Sequence, residues 1–204
     1  MVSKFHLRQP NLTPNFIGAW IIDDSLCDQL IDYFEENQTK QKQGVSGSQA
    51  SIDLEKKNRI DVKISPKDIN LTDNKILKKY FYNLFECYKL YNKEWPYLER
   101  MINHVEIGSF NIGRYKAGQH FQSVHCERAG LGSLQRLFAF MTYLNTVKDG
   151  GETYFNHYDL EIQPQKGLTL IWPAEWTHVH NGQTIKVGTK YIITGHLNFP
   201  AYSR

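Results

Sequence analysis

The chain has 204 residues, enough for one domain with a substantial buried core and short of two comfortable ones. Its 41% hydrophobic and 22% charged residues are ordinary for a soluble globular protein, and a net charge of +3 is too small to make nucleic acid or an anionic membrane an obligatory partner. No run of eighteen apolar residues occurs, so no membrane span is expected; the opening Met1–Arg8 lacks a secretory signal, and three widely spaced cysteines (Cys27, Cys87, Cys126) point to a reducing compartment, taken as cytoplasmic.

In chain order, Asp23-Asp24-Ser25 is a helix-capping cluster, and Leu26, Leu30, Ile31 and Phe34 recur behind it at helical spacing. Thr39–Lys57, rich in Gln, Lys, Ser and Gly, is expected to be a mobile surface loop, and the basic cluster Lys56, Lys57 and Arg59 a solvated face. A second helix is expected to open near Thr72-Asp73 and to end before Trp95-Pro96, with a further turn around Tyr97–Ile102. Ile76, Leu77, Tyr80, Phe81, Leu84, Phe85 and Tyr88 give it an apolar stripe broad enough to lie flat on a sheet.

From His104 the pattern changes to short β-type runs: Val105–Tyr115, His120–Cys126, Gln135–Asn145, Glu152–Phe155, Leu160–Gln163, Leu168–Trp172, Thr177–His180 and Lys190–Phe199. Turn formers separate them, among them Lys148-Asp-Gly-Gly151 and Pro164-Gln-Lys-Gly167. Eight short strands led by helices predict an α+β, mainly β, architecture: a jelly-roll barrel with N-terminal helices packed on one sheet. One domain spanning 1–204 is expected, with 1–103 as a helical support region carrying the polar loop 39–57, and 104–199 as the jelly-roll core.

The chemistry-bearing residues cluster in the second half. His125 and Glu127 stand two apart on a predicted strand and so project to one face. Together with a distant histidine they would form a two-histidine, one-carboxylate facial set, which leaves coordination positions open for cosubstrate and dioxygen. By itself His-x-Glu is a weak signal. His178 and His180 both qualify as the distant partner. A rival reading takes His178-Val-His180 as part of a three-histidine site, but Gln183 and Thr184 stand where such sites carry a glutamate.

The ordered series Tyr115-Lys-Ala-Gly118-Gln-His-Phe121, His125-Cys-Glu127, Tyr143-Leu-Asn145, Gly150-Gly-Glu-Thr-Tyr-Phe155, Pro164-Gln-Lys-Gly167, His180 and Gly188-Thr-Lys190-Tyr191 resembles the prolyl 4-hydroxylase-like branch of the iron(II)/2-oxoglutarate-dependent oxygenase superfamily over roughly residues 105–199. The resemblance implies a double-stranded β-helix holding Fe(II) through His125, Glu127 and His180. It favours His180 because Gly188 and Lys190 follow it by eight and ten residues, as in that family; His178 is left as a neighbour of the site or a core residue. Lys190, Tyr143 and Tyr115, with Thr194 as a further donor, are implied to bind 2-oxoglutarate.

The implied activity is hydroxylation of an unactivated C–H bond, with O2 as oxidant, succinate and CO2 as products, and ascorbate as an accessory reductant. The metal carries the chemistry, so no separate catalytic residue is assigned. The substrate implied is a prolyl residue in a peptide or protein; a small molecule or nucleobase, or a non-catalytic ligand-binding barrel, stand as alternatives. The sequence departs from the family pattern at Glu127, where aspartate is usual, and at His196, where tryptophan is common. Oligomeric state is not legible.

Overall fold

The protein is described by a computed structural model over residues 2–6, 15–47, 51–71, 74–102 and 104–200. The chain enters through β1 (Ser3–Lys4) and β2 (Gly18–Ile21), forms α1 (Asp24–Glu36), and returns as β3 (Gln41–Gln43) and β4 (Ile60–Ile64). Then come α2 (Pro66–Leu71), α3 (Lys75–Glu94) and α4 (Tyr97–Met101). The remaining strands are β5 (Glu106–Ile107), β6 (Phe110–Lys116), β7 (Phe121–His125), β8 (Arg136–Tyr143), β9 (Thr153–Phe155), β10 (Leu160–Ile162), β11 (Leu168–Pro173), β12 (His180–Gly182) and β13 (Thr189–Asn198).

Among the described residues, the strands form two antiparallel sheets. The larger runs β1-β2-β11-β8-β13-β6-β4-β3, with β5 on the end of β13; the smaller runs β10-β9-β12-β7. From β6 onward the chain passes repeatedly between the two sheets, which makes the fold a double-stranded β-helix, as expected.

Alternation along the central strands divides the core. Phe138 and Phe140 of β8, Ile171 of β11, and Ile193 and Leu197 of β13 face the helices. Their neighbours Ala139, Met141 and Tyr143, Leu170 and Trp172, and Ile192 face the barrel interior. A strand carrying apolar side chains on both faces is buried on both, and β8 accordingly reads as a nearly continuous hydrophobic run. The helical layer is set by α1, capped by Asp23, whose carboxylate accepts the Ser25 backbone N–H at 2.7 Å, and by α3, which buries Leu77, Tyr80, Phe81, Leu84, Tyr88 and Tyr91. Tyr80 reaches through the apolar interface to Thr142 Oγ1 at 2.9 Å, and Thr142 in turn meets Thr169 Oγ1 at 2.8 Å, so these buried hydroxyls satisfy one another.

Several expectations change. Thr39–Lys57 is not simply a loop: Gln41–Gln43 pairs as an edge strand with β4, because a backbone ladder at a sheet edge needs no apolar side chains. β4 itself, with Ile60, Val62 and Ile64 alternating against Asp61 and Lys63, follows that expected loop and is not among the expected strands. Lys57 and Arg59 are buried rather than solvated, while Lys56 stays exposed and pairs with Asp53 at 2.9 Å. Val105–Tyr115 divides into β5 and β6, and the strand expected over Thr177–His180 is a 3-10 turn (Trp176–His178) followed by β12. Thr72-Asp73 lies outside the described residues; α3 runs from Lys75 and ends at Glu94, before Trp95-Pro96.

Candidate metal centre and cosubstrate pocket

β7 and β12 are hydrogen-bonded neighbours, and His125 and His180 are direct register partners across them. The expected strand stops at His125, so Glu127 sits just past it in a bend, yet its carboxylate still turns toward the two imidazoles. One donor atom from each of His125, Glu127 and His180 can be chosen so that all lie within 4.8 Å of one another. Glu127 Oε1 is 3.7 Å from His125 Nε2 and 3.6 Å from His180 Nε2. Donors each about 2.1 Å from a common ion can be no more than about 4.2 Å apart, so both separations fit one metal.

The ring nitrogens away from the centre fix which nitrogen is offered. His125 Nδ1 is 2.8 Å from the Ser123 carbonyl and His180 Nδ1 is 2.9 Å from the His178 carbonyl. A carbonyl only accepts, so each Nδ1 carries the proton and each Nε2 presents its lone pair inward. Phe121 stacks on His125 with centroids 4.2 Å apart, and Phe155 and Trp172 pack against His180. Burial, and then the neighbouring His125, push His180 down to about 4, which keeps it neutral and able to ligate at neutral pH.

Glu127 is held from three sides. Burial by itself would raise its pKa, but the hydrogen bond from His196, first among the opposing effects, holds it well below the usual carboxylate range. Arg136 donates to the Glu127 backbone carbonyl at 2.8 Å. The set of two imidazole Nε2 atoms and one carboxylate, with oxygen and nitrogen donors only, suits a ferrous ion. His178, the rival ligand, is elsewhere: its ring is buried against the Asn15 carbonyl at 2.8 Å and Thr177 Oγ1 at 2.9 Å, and it serves the centre through its carbonyl on His180. Cys126 is half-buried and turned to the Arg128 carbonyl.

The expected cosubstrate residues gather farther along the same interior. On β13, Lys190, Ile192, Thr194 and His196 follow one another at every second position, so one face carries an ammonium, a methyl wall, a hydroxyl and the partner of Glu127. Lys190 is 2% exposed, donates to the Gly151 carbonyl at 2.8 Å, and lies 4.4 Å from the ring centroid of its register partner Tyr115. Burial, and then the nearby Arg59, push its ammonium down to about 7. Tyr143, also fully buried, donates to Thr153 Oγ1 at 2.6 Å.

Two groups escaped the sequence reading. Arg59 stands among these residues, with Nη1 2.8 Å from Tyr115 Oη and Nη2 3.3 Å from Thr194 Oγ1. His196 is the second, through its contact with Glu127. The period-two alternation Arg59-Ile60-Asp61-Val62 was the signal for the first, since it puts Arg59 and Asp61 opposite the helix-facing Ile60 and Val62.

Residues 110–198 match the family model of the 2OG-Fe(II) oxygenase superfamily. A plant relative, the Probable prolyl 4-hydroxylase 9 of Arabidopsis thaliana, is 30% identical over 120 residues, covering 46% of this chain and 42% of that protein; the matched stretch thus spans less than half of the relative's length. Among solved structures, the viral collagen prolyl hydroxylase of Paramecium Bursaria Chlorella virus-1, in its 2OG complex, superposes with TM-score 0.64 at 18% identity over 91% of this chain and 97% of that one. The Trichoplax adhaerens prolyl hydroxylase, in complex with a hypoxia inducible factor oxygen degradation domain peptide fragment, gives TM-score 0.66 at 14% identity over 92% and 86%. At such identities the structures speak for the fold. Residues 110–198, less than half of the chain, thus resemble the 2OG-Fe(II) oxygenase superfamily, and the curated relatives that the chain matches are prolyl 4-hydroxylases. The matched family is named for Fe(II) and 2-oxoglutarate.

Proposed function

We propose that this protein is a 2-oxoglutarate-dependent dioxygenase that hydroxylates a prolyl residue in a peptide or protein, releasing succinate and CO2. The observation that carries the reading is one barrel interior holding the His125–Glu127–His180 donor cluster at one end of the β13 face and the buried Lys190 at the other. Iron(II), when bound, supplies the redox chemistry that couples decarboxylation of 2-oxoglutarate to hydroxylation.

The side chains do the positioning. His125 and His180 offer Nε2 and Glu127 offers Oε1, three donors grouped on one side, which leaves the opposite side for the keto acid and dioxygen. Lys190 waits for an anion: an ammonium buried against an aromatic ring and one carbonyl is costly until a carboxylate neutralises it. The Tyr115 and Thr194 hydroxyls, which accept from Arg59 and keep their own protons, add directional donors, Tyr143 stands beside them with its hydroxyl on Thr153, and Ile192 between Lys190 and Thr194 adds an apolar wall.

A peptide substrate is supported by an apolar rim beside the metal cluster. Val124 precedes His125, Trp176 lies in the turn leading to His180, and Leu131 and Leu134 follow Glu127; all four are exposed, Leu131 at 88%. The segments bearing them are tied together by Arg128, which pairs with Glu175 and donates its backbone N–H to the Ala174 carbonyl at 2.8 Å. The Trichoplax relative holds a peptide, which agrees with this choice over a small molecule. The test is anaerobic addition of Fe(II) and 2-oxoglutarate, read as a visible metal-to-ligand absorption band. Substrate-stimulated succinate release from proline-containing peptides should follow in air, with ascorbate as reductant. No band, or succinate release stimulated by free amino acids and not by peptides, would overturn the respective part of the proposal.

A further inference from the structure

The barrel interior contains more positive charge than the family pattern requires. Lys57, Arg59 and Lys190 are all buried, and Asp61 pairs with the first two, 2.7 Å from Arg59 Nε and 3.3 Å from Lys57 Nζ. Glu127 acts on Lys57, and Glu152 on Lys190, without forming an ion pair with either. Arg59 is 3% exposed and immediately precedes β4, outside the matched region 110–198.

The Arg59–Asp61 pair is built into the backbone around it. Gly113 is the register partner of Asp61, and a Cβ there would come within 2.8 Å of Asp61 Oδ1 and 3.2 Å of Arg59 Cζ. On the other side, a Cβ at Gly44 would approach Asp61 Oδ2 at 3.0 Å and Arg59 Cγ at 3.1 Å. With Nε on Asp61, the guanidinium directs Nη1 to Tyr115 and Nη2 to Thr194, and each terminal nitrogen keeps one N–H with no partner among the described residues. Tyr115 stands between the two cations: Arg59 Cζ is 5.4 Å and Lys190 Nζ 4.4 Å from its ring centroid.

Two buried cations face one tyrosine, Arg59 paired with Asp61 and Lys190 with no carboxylate partner among the described residues, and together they form a site for an anion. We propose that Arg59 is a second cationic anchor for the far carboxylate of 2-oxoglutarate, held in line by Asp61 and sharing that carboxylate with Lys190. The inference rests on the proposed cosubstrate. It adds a specificity device: a guanidinium fork binds a carboxylate and discriminates against keto acids that end in a methyl group, because its N–H groups would then stay buried and unpaired.

The test uses the full chain loaded with Mn(II) and calorimetric titration with 2-oxoglutarate and with 2-oxobutyrate, which keeps the keto-acid end and lacks the far carboxylate. Arg59→Gln is expected to weaken 2-oxoglutarate roughly 10- to 100-fold, the range of a lost charged hydrogen bond, and to leave 2-oxobutyrate and Mn(II) binding within about threefold, the ordinary scatter for uncoupled changes. Arg59→Lys should recover part of the loss. Because Arg59→Gln leaves Asp61 with Lys57 alone, the double variant Arg59→Gln/Asp61→Asn removes the stranded carboxylate, and the same ratio is read from it if the single variant does not fold. Equal weakening of both keto acids, or no weakening of 2-oxoglutarate, would overturn the anchor role. A wild-type protein that binds Mn(II) but not 2-oxoglutarate would instead remove the proposed function beneath it.

Discussion

His196 Nε2 lies 2.6 Å from Glu127 Oε2. Glu127 Oε1 is the oxygen that faces both His125 and His180, so the carboxylate is divided, one oxygen toward the metal cluster and the other toward β13. The two departures from the family pattern are therefore one structural unit. The additional methylene of glutamate gives the carboxylate freedom that the imidazole on β13 removes. Replacing His196 by Ala should lower Fe(II) or Mn(II) affinity about 10- to 100-fold, with His196→Gln, which keeps an N–H donor, losing less. Metal titration followed calorimetrically checks this, and equal affinities in all three proteins would show that His196 does not position Glu127.

His180→Ala and His178→Ala should separate cleanly. The first removes an Nε2 donor and is expected to abolish tight metal binding and the Fe(II)–2-oxoglutarate absorption band. The second keeps the carbonyl that orients His180, so the band should persist, while the lost ring contacts with Asn15 and Thr177 cost about 1–3 kcal/mol of unfolding free energy. Loss of the band in His178→Ala alone would reverse the ligand assignment.

Cosubstrate binding through Lys190, as proposed, should depend on pH. The Lys190 ammonium is pushed down to about 7 by burial and by Arg59, so above neutrality a growing share of the free protein has lost that proton. A carboxylate binds the protonated form, and binding must then recover the proton. Affinity for 2-oxoglutarate should fall between pH 7.5 and 9, by up to about tenfold per unit. Lys190→Arg, charged throughout, should flatten the profile. Isotherms at several pH values decide it, and a flat wild-type profile would contradict the reading.

The same burial sets the sign of stability against pH. Lys190 at about 7 and Lys57 at about 8 both titrate below an unfolded lysine near 10.4. Above pH 7 the unfolded chain holds the proton that the native state has lost, so the stability of the ligand-free protein should rise with pH up to about 8.5. Cys27 and Cys87, pushed up to about 12 by burial, favour the native state less as pH climbs past the ordinary thiol range, which closes the window. The expected gain from Lys190 is on the order of 1–2 kcal/mol, and it should disappear with saturating 2-oxoglutarate. Urea melts at pH 7 and 8.5, with and without ligand, test both statements.

Gly195 reports on the joint between barrel and helices. A Cβ there would stand 2.5 Å from Phe140 Cζ and 2.7 Å from Phe110 Cβ, so β13 must pass these rings bare. Gly195→Ala should destabilise by about 1–3 kcal/mol through overpacking, and because residue 195 points away from Thr194 and His196, the metal affinity of the folded fraction should stay close to wild type.

The helices were legible because their information is local. The Asp23 cap and the α3 stripe from Leu77 to Tyr88 declare themselves within a turn or two, and the barrel strands after His104 are marked off by turn formers. β4 was missed because Lys57 and Arg59 before it read as solvated charges, and only their pairing with Asp61 makes burial tolerable. The turn at Trp176–His178 was read as strand because its residues are compatible with either state. Its path is set by contacts far away in sequence, such as Asn15 to His178.

By itself the sequence determined the class of architecture, because periodicity and turn chemistry are written into neighbouring positions, and its resemblance to a known family proposed a short set of metal and cosubstrate residues. The tertiary structure decided that His125 faces His180 across a ladder, that His196 takes one oxygen of Glu127, and that Arg59 reaches Tyr115 from a segment distant in sequence. Those are relations between segments whose separation along the chain bears no relation to their distance in space, and they exist only once the two sheets have closed over one interior.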